Sequence, residues 1–129
     1  MVSLKTMYKE TTDGIVIRVT PSFLAEKSNP SNNFFLFSYK INITNQGVDA
    51  CRLINRYWII RNGDGREERI FGKGVIGETP YLRPGESFEY QSFCPLNRPY
   101  GNMRGQFEFI NDQKKIFRAT IPLFFLRCL

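Results

Sequence analysis

The chain contains no histidine. That absence removes Ser-His-Asp and Cys-His catalysis, and with them the commonest transition-metal ligand. Any acid, base or nucleophile would have to come from Asp, Glu, Lys, Tyr or Cys. No pair of these sits in a catalytic motif. The expectation is a protein that is not an enzyme and carries no cofactor or metal.

Cysteine is scarce too. Cys51, Cys94 and Cys128 are odd in number and widely spaced, with no C-x-x-C pair. They do not read as a disulfide framework. They read as small buried hydrophobes in a reducing compartment, unbridged within the chain. Long apolar runs are missing as well. "MVSLKTMYKETTDG" lacks the apolar region of a signal peptide, and no stretch approaches a membrane span. A cytoplasmic location follows by default, with no membrane contact.

Acidic residues are fewer than basic ones, which leaves a net charge of +6 and a pI near 9.4. A basic balance favours anionic partners. Here the basic residues are dispersed, with no run of five, no RGG tract and no zinc-knuckle spacing. Nucleic acid is therefore not expected as the main partner.

What the chain has is aromatic and β-branched residues in alternation. Its 129 residues fit a single domain, 1–129, with one core. In "FFLFSYKINITN" the residues Phe35, Phe37, Tyr39, Ile41 and Ile43 share one face. Ser38, Lys40, Asn42 and Thr44 take the other, the pattern of a strand with one buried side. "GIVIRVT" puts Ile15, Ile17 and Val19 inward. "MRGQFEFI" groups Met103, Phe107 and Phe109, and "KIFRATIPLF" groups Phe117, Ala119, Ile121 and Leu123. Pro122 has no N–H to give a ladder, so it belongs at an edge or a bulge.

Turn signals separate these segments: "KSNPSNN", "NGDG", "LRPGES" and "NDQK". No window holds a 3.6-residue period long enough for a helix. Seven strands are predicted, at about 14–26, 34–45, 51–61, 66–71, 86–93, 103–110 and 115–126. Seven antiparallel strands with a Trp on the third predict an all-β, immunoglobulin-like or fibronectin type III-like sandwich. A small β-barrel is the alternative. Open sheet edges invite pairing. With Pro122 and Arg118 guarding one edge, a monomer or weak homodimer is expected.

"GKGVIG", residues 72–77, has the G-x-G-x-x-G spacing of dinucleotide-binding loops. Those loops open a helix whose N-terminus holds the pyrophosphate. Here "ETPYLRPGE" follows, and its two prolines forbid that helix. A kinase-type loop would need lysine, catalytic and metal motifs that are absent. Gly72, Gly74 and Gly77 therefore read as backbone geometry in a bend. The alternative is a nest of amides for a small anion, a nucleotide phosphate or pyrophosphate, helped by Lys73 and Arg69. Binding there would be weak and salt-sensitive.

"NRYWIIRNGDG", "GKGVIGETPYLRPGESFEYQSF", "GNMRGQFEF" and the closing "IPLFFL" stand in one order over residues 34–126. In that order they resemble the ApaG family. The resemblance implies a fibronectin type III-like sandwich with no established biochemical role. It implies a genetic link to cobalt tolerance and magnesium efflux in bacteria, and a protein-interaction role where the domain occurs in eukaryotes. Histidine-based metal binding cannot operate in this chain. Carried over, the family signature is Gly72, Gly74 and Gly77, with Arg56, Tyr57 and Trp58.

Tyr57 and Trp58 point to opposite faces of a regular strand. Trp58 is expected between the sheets. An exposed aromatic beside Arg56 would suit a protein partner. The reading is a non-catalytic protein-interaction module of unknown partner, with phosphate binding at the glycine loop as the alternative.

Overall fold

Apolar–polar alternation makes strands because a pleated chain buries one face and solvates the other. A computed structural model describes residues 6–128. Its strands are β1 Tyr8–Thr12, β2 Ile15–Phe23, β3 Phe35–Asn45, β4 Cys51–Asn62, β5 Glu67–Lys73, β6 Tyr81–Leu82, β7 Ser87–Leu96, β8 Tyr100–Asn111 and β9 Ile116–Arg127. They form two antiparallel sheets, β1-β2-β3-β7 and β5-β4-β8-β9, with β6 paired to the start of β4. This is the all-β sandwich predicted.

The seven expected strands are present, and two more join them. β1 pairs with β2 across Asp13-Gly14, both at positive φ (48° and 81°). That is the Asp-Gly hairpin signal, written in "TTDGIV". β1 itself is polar and solvent-facing, so no alternation announces it. The first predicted strand, 14–26, accordingly begins at Ile15 and ends at Phe23, before a short 3-10 turn. β6 spans two residues, too few to carry a period.

The core lies between the sheets. Phe37, Phe107, Phe109 and Phe124 are fully buried, with the isoleucines of β2 and β3 around them. Trp58 is 4% exposed. Its indole meets Tyr39 at 5.5 Å, Phe124 at 6.0 Å and Phe107 at 6.2 Å, all edge-to-face, the arrangement the ring quadrupoles favour. Cys51, Cys94 and Cys128 are all free thiols.

Two bulges shift the alternation. In β9 the register steps from Ile121–Gly105 to Phe124–Met103, so Pro122 and Leu123 together face Arg104. Pro122 thus sits at a bulge, where a missing N–H costs no ladder bond. The shift reverses the strand's phase. Leu123, predicted inward beside Ile121, is 46% exposed, and Phe124 takes the buried position. In β4 the register steps from Leu53–Phe109 to Asn55–Glu108, leaving Ile54 as the extra residue.

The two long sides of the sandwich differ. On one, β1 and β2 pack against β9 and close it. On the other, the edge strands β5 and β7 stand apart, and a cleft of about 700 Å³ opens between them.

Candidate interaction site at the glycine loop

The Ile54 bulge decides which β4 side chains face inward. Leu53 and Trp58 are both buried although five positions apart, which a regular strand cannot do. Arg56, Trp58 and Ile60 line the cleft, while Tyr57 lies on the opposite, outer face. Arg56 and Tyr57 therefore share no surface.

Arg56 stands directly across from Gly72 on β5. Its guanidinium passes over Gly72, and its Nη1 donates to the carbonyl oxygens of Lys73 and Gly74, each at 3.0 Å. A Cβ on Gly72 would lie 2.6 Å from the guanidinium carbon. Gly72 is thus the space that Arg56 occupies. Gly74 has φ +62°, and a Cβ there would collide with the Glu78 carbonyl. Its N–H donates to the carbonyl of Ile54, the bulge residue, at 2.8 Å.

The rest of the loop closes on itself. The N–H of Val75 donates to Glu78 O, and the N–H of Glu78 donates to Val75 O, both at 2.9 Å. Ile76 and Gly77 between them have φ 42° and 79°, the sign pattern of a type I′ turn. The return strand is tied down by Leu53 N–H to Pro80 O at 3.0 Å and by Arg52 Nη1 to Thr79 O at 2.7 Å.

Ile76 is out of character. The first position of such a turn suits Gly, Asn or Asp; a β-branched residue at positive φ is strained. Val75 beside it is buried, whereas Ile76 is 56% exposed at the lip of the cleft. Phe93 of β7, 53% exposed, lines the same cleft.

Ile70 and Val75 contribute apolar lining beside Trp58, with Tyr39, Tyr90 and Cys94 across from them. Burial pushes the Cys94 thiol up to about 12 and raises the Tyr39 and Tyr90 phenols. These groups stay protonated at neutral pH, so none is an activated nucleophile.

Of the proposed anion-binding residues, Gly72, Lys73, Gly74 and Gly77 share the loop, and Arg69 stands apart from them. Arg69 lies within β5 and Lys73 at its end, four residues or about 13 Å apart along the strand. Arg69 is within 3.8 Å of Glu67. The N–H groups of Gly74, Val75 and Glu78 are spent on carbonyls inside the fold. Three side chains that sequence reasoning did not single out belong to this region: Phe71, Ile76 and Phe93. Only the fold distinguishes them from core residues, since their types and alternation match those of buried positions.

A two-sheet sandwich with an Arg-Tyr-Trp strand clasped to a glycine turn defines a small fibronectin type III-like domain. The ApaG domain family matches residues 25–111. Protein ApaG of Allorhizobium ampelinum is 46% identical over 120 residues, covering 93% of this chain and 92% of its own. Protein ApaG of Anaeromyxobacter dehalogenans is 44% identical over 113 residues, covering 88% and 89%. The solved structure of a Bordetella pertussis protein described as ApaA superposes with a TM-score of 0.86 at 40% identity, covering 88% of this chain and 92% of that one. The chain belongs to the ApaG family.

Three substitutions separate the loop's shape from its charge. Gly74→Val combines strain at positive φ with the Glu78 collision, and should cost at least about 2 kcal/mol. Gly72→Ala should cost about 1–3 kcal/mol by displacing the Arg56 bonds to two carbonyls. Lys73→Ala, at an exposed position, should stay within about 0.5 kcal/mol. Urea unfolding of the three variants measures all of this; equal losses at Gly74 and Lys73 would contradict it.

Proposed function

We propose that this protein is a non-catalytic protein-interaction module, working in the cytoplasm through the open side of its sandwich. The observation that carries the reading is Ile76. A β-branched side chain is held at φ 42° and presented to solvent at the lip of a cleft lined by both apolar and charged side chains. Such strain costs on the order of 1–3 kcal/mol and clusters where function requires it. Arg56 and Trp58 set the shape of the site from within, and Tyr57 with Phe71 extends it onto the outer face. The protonated thiol and phenols of the cleft fit a surface that binds rather than reacts.

Among the described residues, no three or more Cys, Asp or Glu side chains gather as a metal site. Any link to cobalt or magnesium is assigned to the partner. No helix of the described residues is long and apolar enough to cross a membrane.

Ile76→Asn tests the reading. Asn tolerates positive φ, so the variant should gain about 1 kcal/mol of stability and lose capture of the proteins that the wild type retains from its native cell extract. A variant that is less stable, or that captures the same proteins equally, would count against the proposal.

The second reading keeps a small anion at the glycine loop: a phosphate, a nucleotide phosphate or pyrophosphate, held by Gly72, Lys73, Gly74, Gly77 and Arg69. Exposure of Lys73 at the loop favours it. With three loop amides committed elsewhere, the affinity should be of the millimolar type, about 4 kcal/mol. Calorimetry with pyrophosphate and ATP at physiological salt decides. Micromolar binding lost in Lys73→Ala, with the fold intact, would replace the interaction reading at this loop.

A further inference from the structure

The geometry points to a specific mode of docking, resting on the interaction reading above: an extended segment of a partner protein adds as a strand to the free edge of β5. Its outward side chain opposite Arg69 is acidic, and those on the inner side are apolar and enter the cleft.

The first argument is the ladder. Asn62 N–H donates to Arg66 O and Gly74 N–H donates to Ile54 O, at the two ends of the β4–β5 pairing. Antiparallel strands alternate bonded and non-bonded pairs. The even-numbered residues of β5 therefore bond to β4. Glu67, Arg69 and Phe71 direct their N–H and C=O groups to the outside, where sheet order places no strand among the described residues. At Lys73 the Arg56 guanidinium takes the carbonyl and ends the usable edge. Three alternate residues thus offer backbone groups outward, a template for strand addition.

The second argument is charge. On the outer face, Arg69 of β5, Ile59 of β4 and Arg104 of β8 form one rung, with Glu67 and Arg61 in the next. The Glu67 carboxylate lies 3.6 Å from Arg104, 3.7 Å from Arg61 and 3.8 Å from Arg69. One carboxylate serves three guanidinium groups, so a second acid is favoured there. A carboxylate on the added strand, opposite Arg69, supplies it at cross-strand distance. Phe71, 63% exposed and 4.8 Å from the Tyr57 ring, is the apolar neighbour two positions along.

The third argument is the cleft. Side chains alternate across a sheet, so the inner residues of an added strand meet Ile70 and Trp58 in the cavity of about 700 Å³. Nucleic acid fits less well. Arg118 already covers the Tyr57 ring at 4.3 Å, and Glu67 and Glu108 would oppose a phosphate chain.

The test uses the full chain and a capped nine-residue peptide of alternating glutamate and valine. Fluorescence anisotropy gives affinity, and amide hydrogen exchange gives location. The peptide should protect the amides of Glu67, Arg69 and Phe71. It should bind at least tenfold tighter than its lysine–valine counterpart and than a version with proline at its centre. The double variant Arg69→Gln/Arg104→Gln, which leaves Glu67 paired with Arg61, should cancel the preference for glutamate over lysine. The inference is overturned by unprotected β5 amides at millimolar peptide, or by equal binding of the proline version. It is also overturned by tighter binding of a single-stranded oligonucleotide to this face, or by light scattering of a dimer whose β5 amides are protected without peptide. Ile76-dependent capture of a partner that leaves the β5 amides exchanging freely would sink this docking mode alone and leave the interaction module standing.

Discussion

One extra residue in β4 governs the glycine-loop end of this molecule. Ile54 has no partner on β8, and the strand's inward and outward faces exchange at that point. Leu53 and Trp58 can then both enter the core. Arg56 turns toward the cleft instead of toward solvent, and on the other side of β4 the Gly74 amide continues the β4–β5 ladder onto the Ile54 carbonyl. The glycine loop is held at two points, by that carbonyl from below and by the Arg56 guanidinium from above.

The G-x-G-x-x-G spacing acquires a physical reason from this clasp. Its first glycine makes room for a guanidinium, its second takes a left-handed conformation against the Glu78 carbonyl, and its third completes a two-residue turn. None of these tasks involves a phosphate. The spacing that in other folds lets a backbone approach pyrophosphate here lets a backbone approach an arginine. Close approach is the shared requirement, and glycine answers it in both settings.

Most of the strands were legible because period two survives wherever one face is buried: β8 could be read residue by residue, and β3 at all positions but Ser38, which was assigned to the solvated face and is buried. The failures have a common cause. A bulge changes phase without changing composition, so nothing in "IPLFFL" says that Leu123 leaves the core and Phe124 enters it. β1 is solvent-facing and has no apolar rhythm to detect. At the candidate site, the role of the three glycines as shape was legible from the prolines that follow them. The engagement of Arg56 was not, because it depends on register between strands. Nor was the exposure of Phe71 and Ile76, because an exposed apolar residue looks in sequence like a buried one.

Arg56 and the loop act as one unit, and amide hydrogen exchange in an Arg56→Leu variant examines that directly. The substitution keeps an apolar stem over Gly72 and removes the donors to Lys73 O and Gly74 O. Exchange at Gly74, Val75 and Glu78 should accelerate by at least tenfold, while the amides of β3 and β8 keep their protection. Unchanged exchange in the loop, or an equal loss of protection throughout the sandwich, would contradict the clasp.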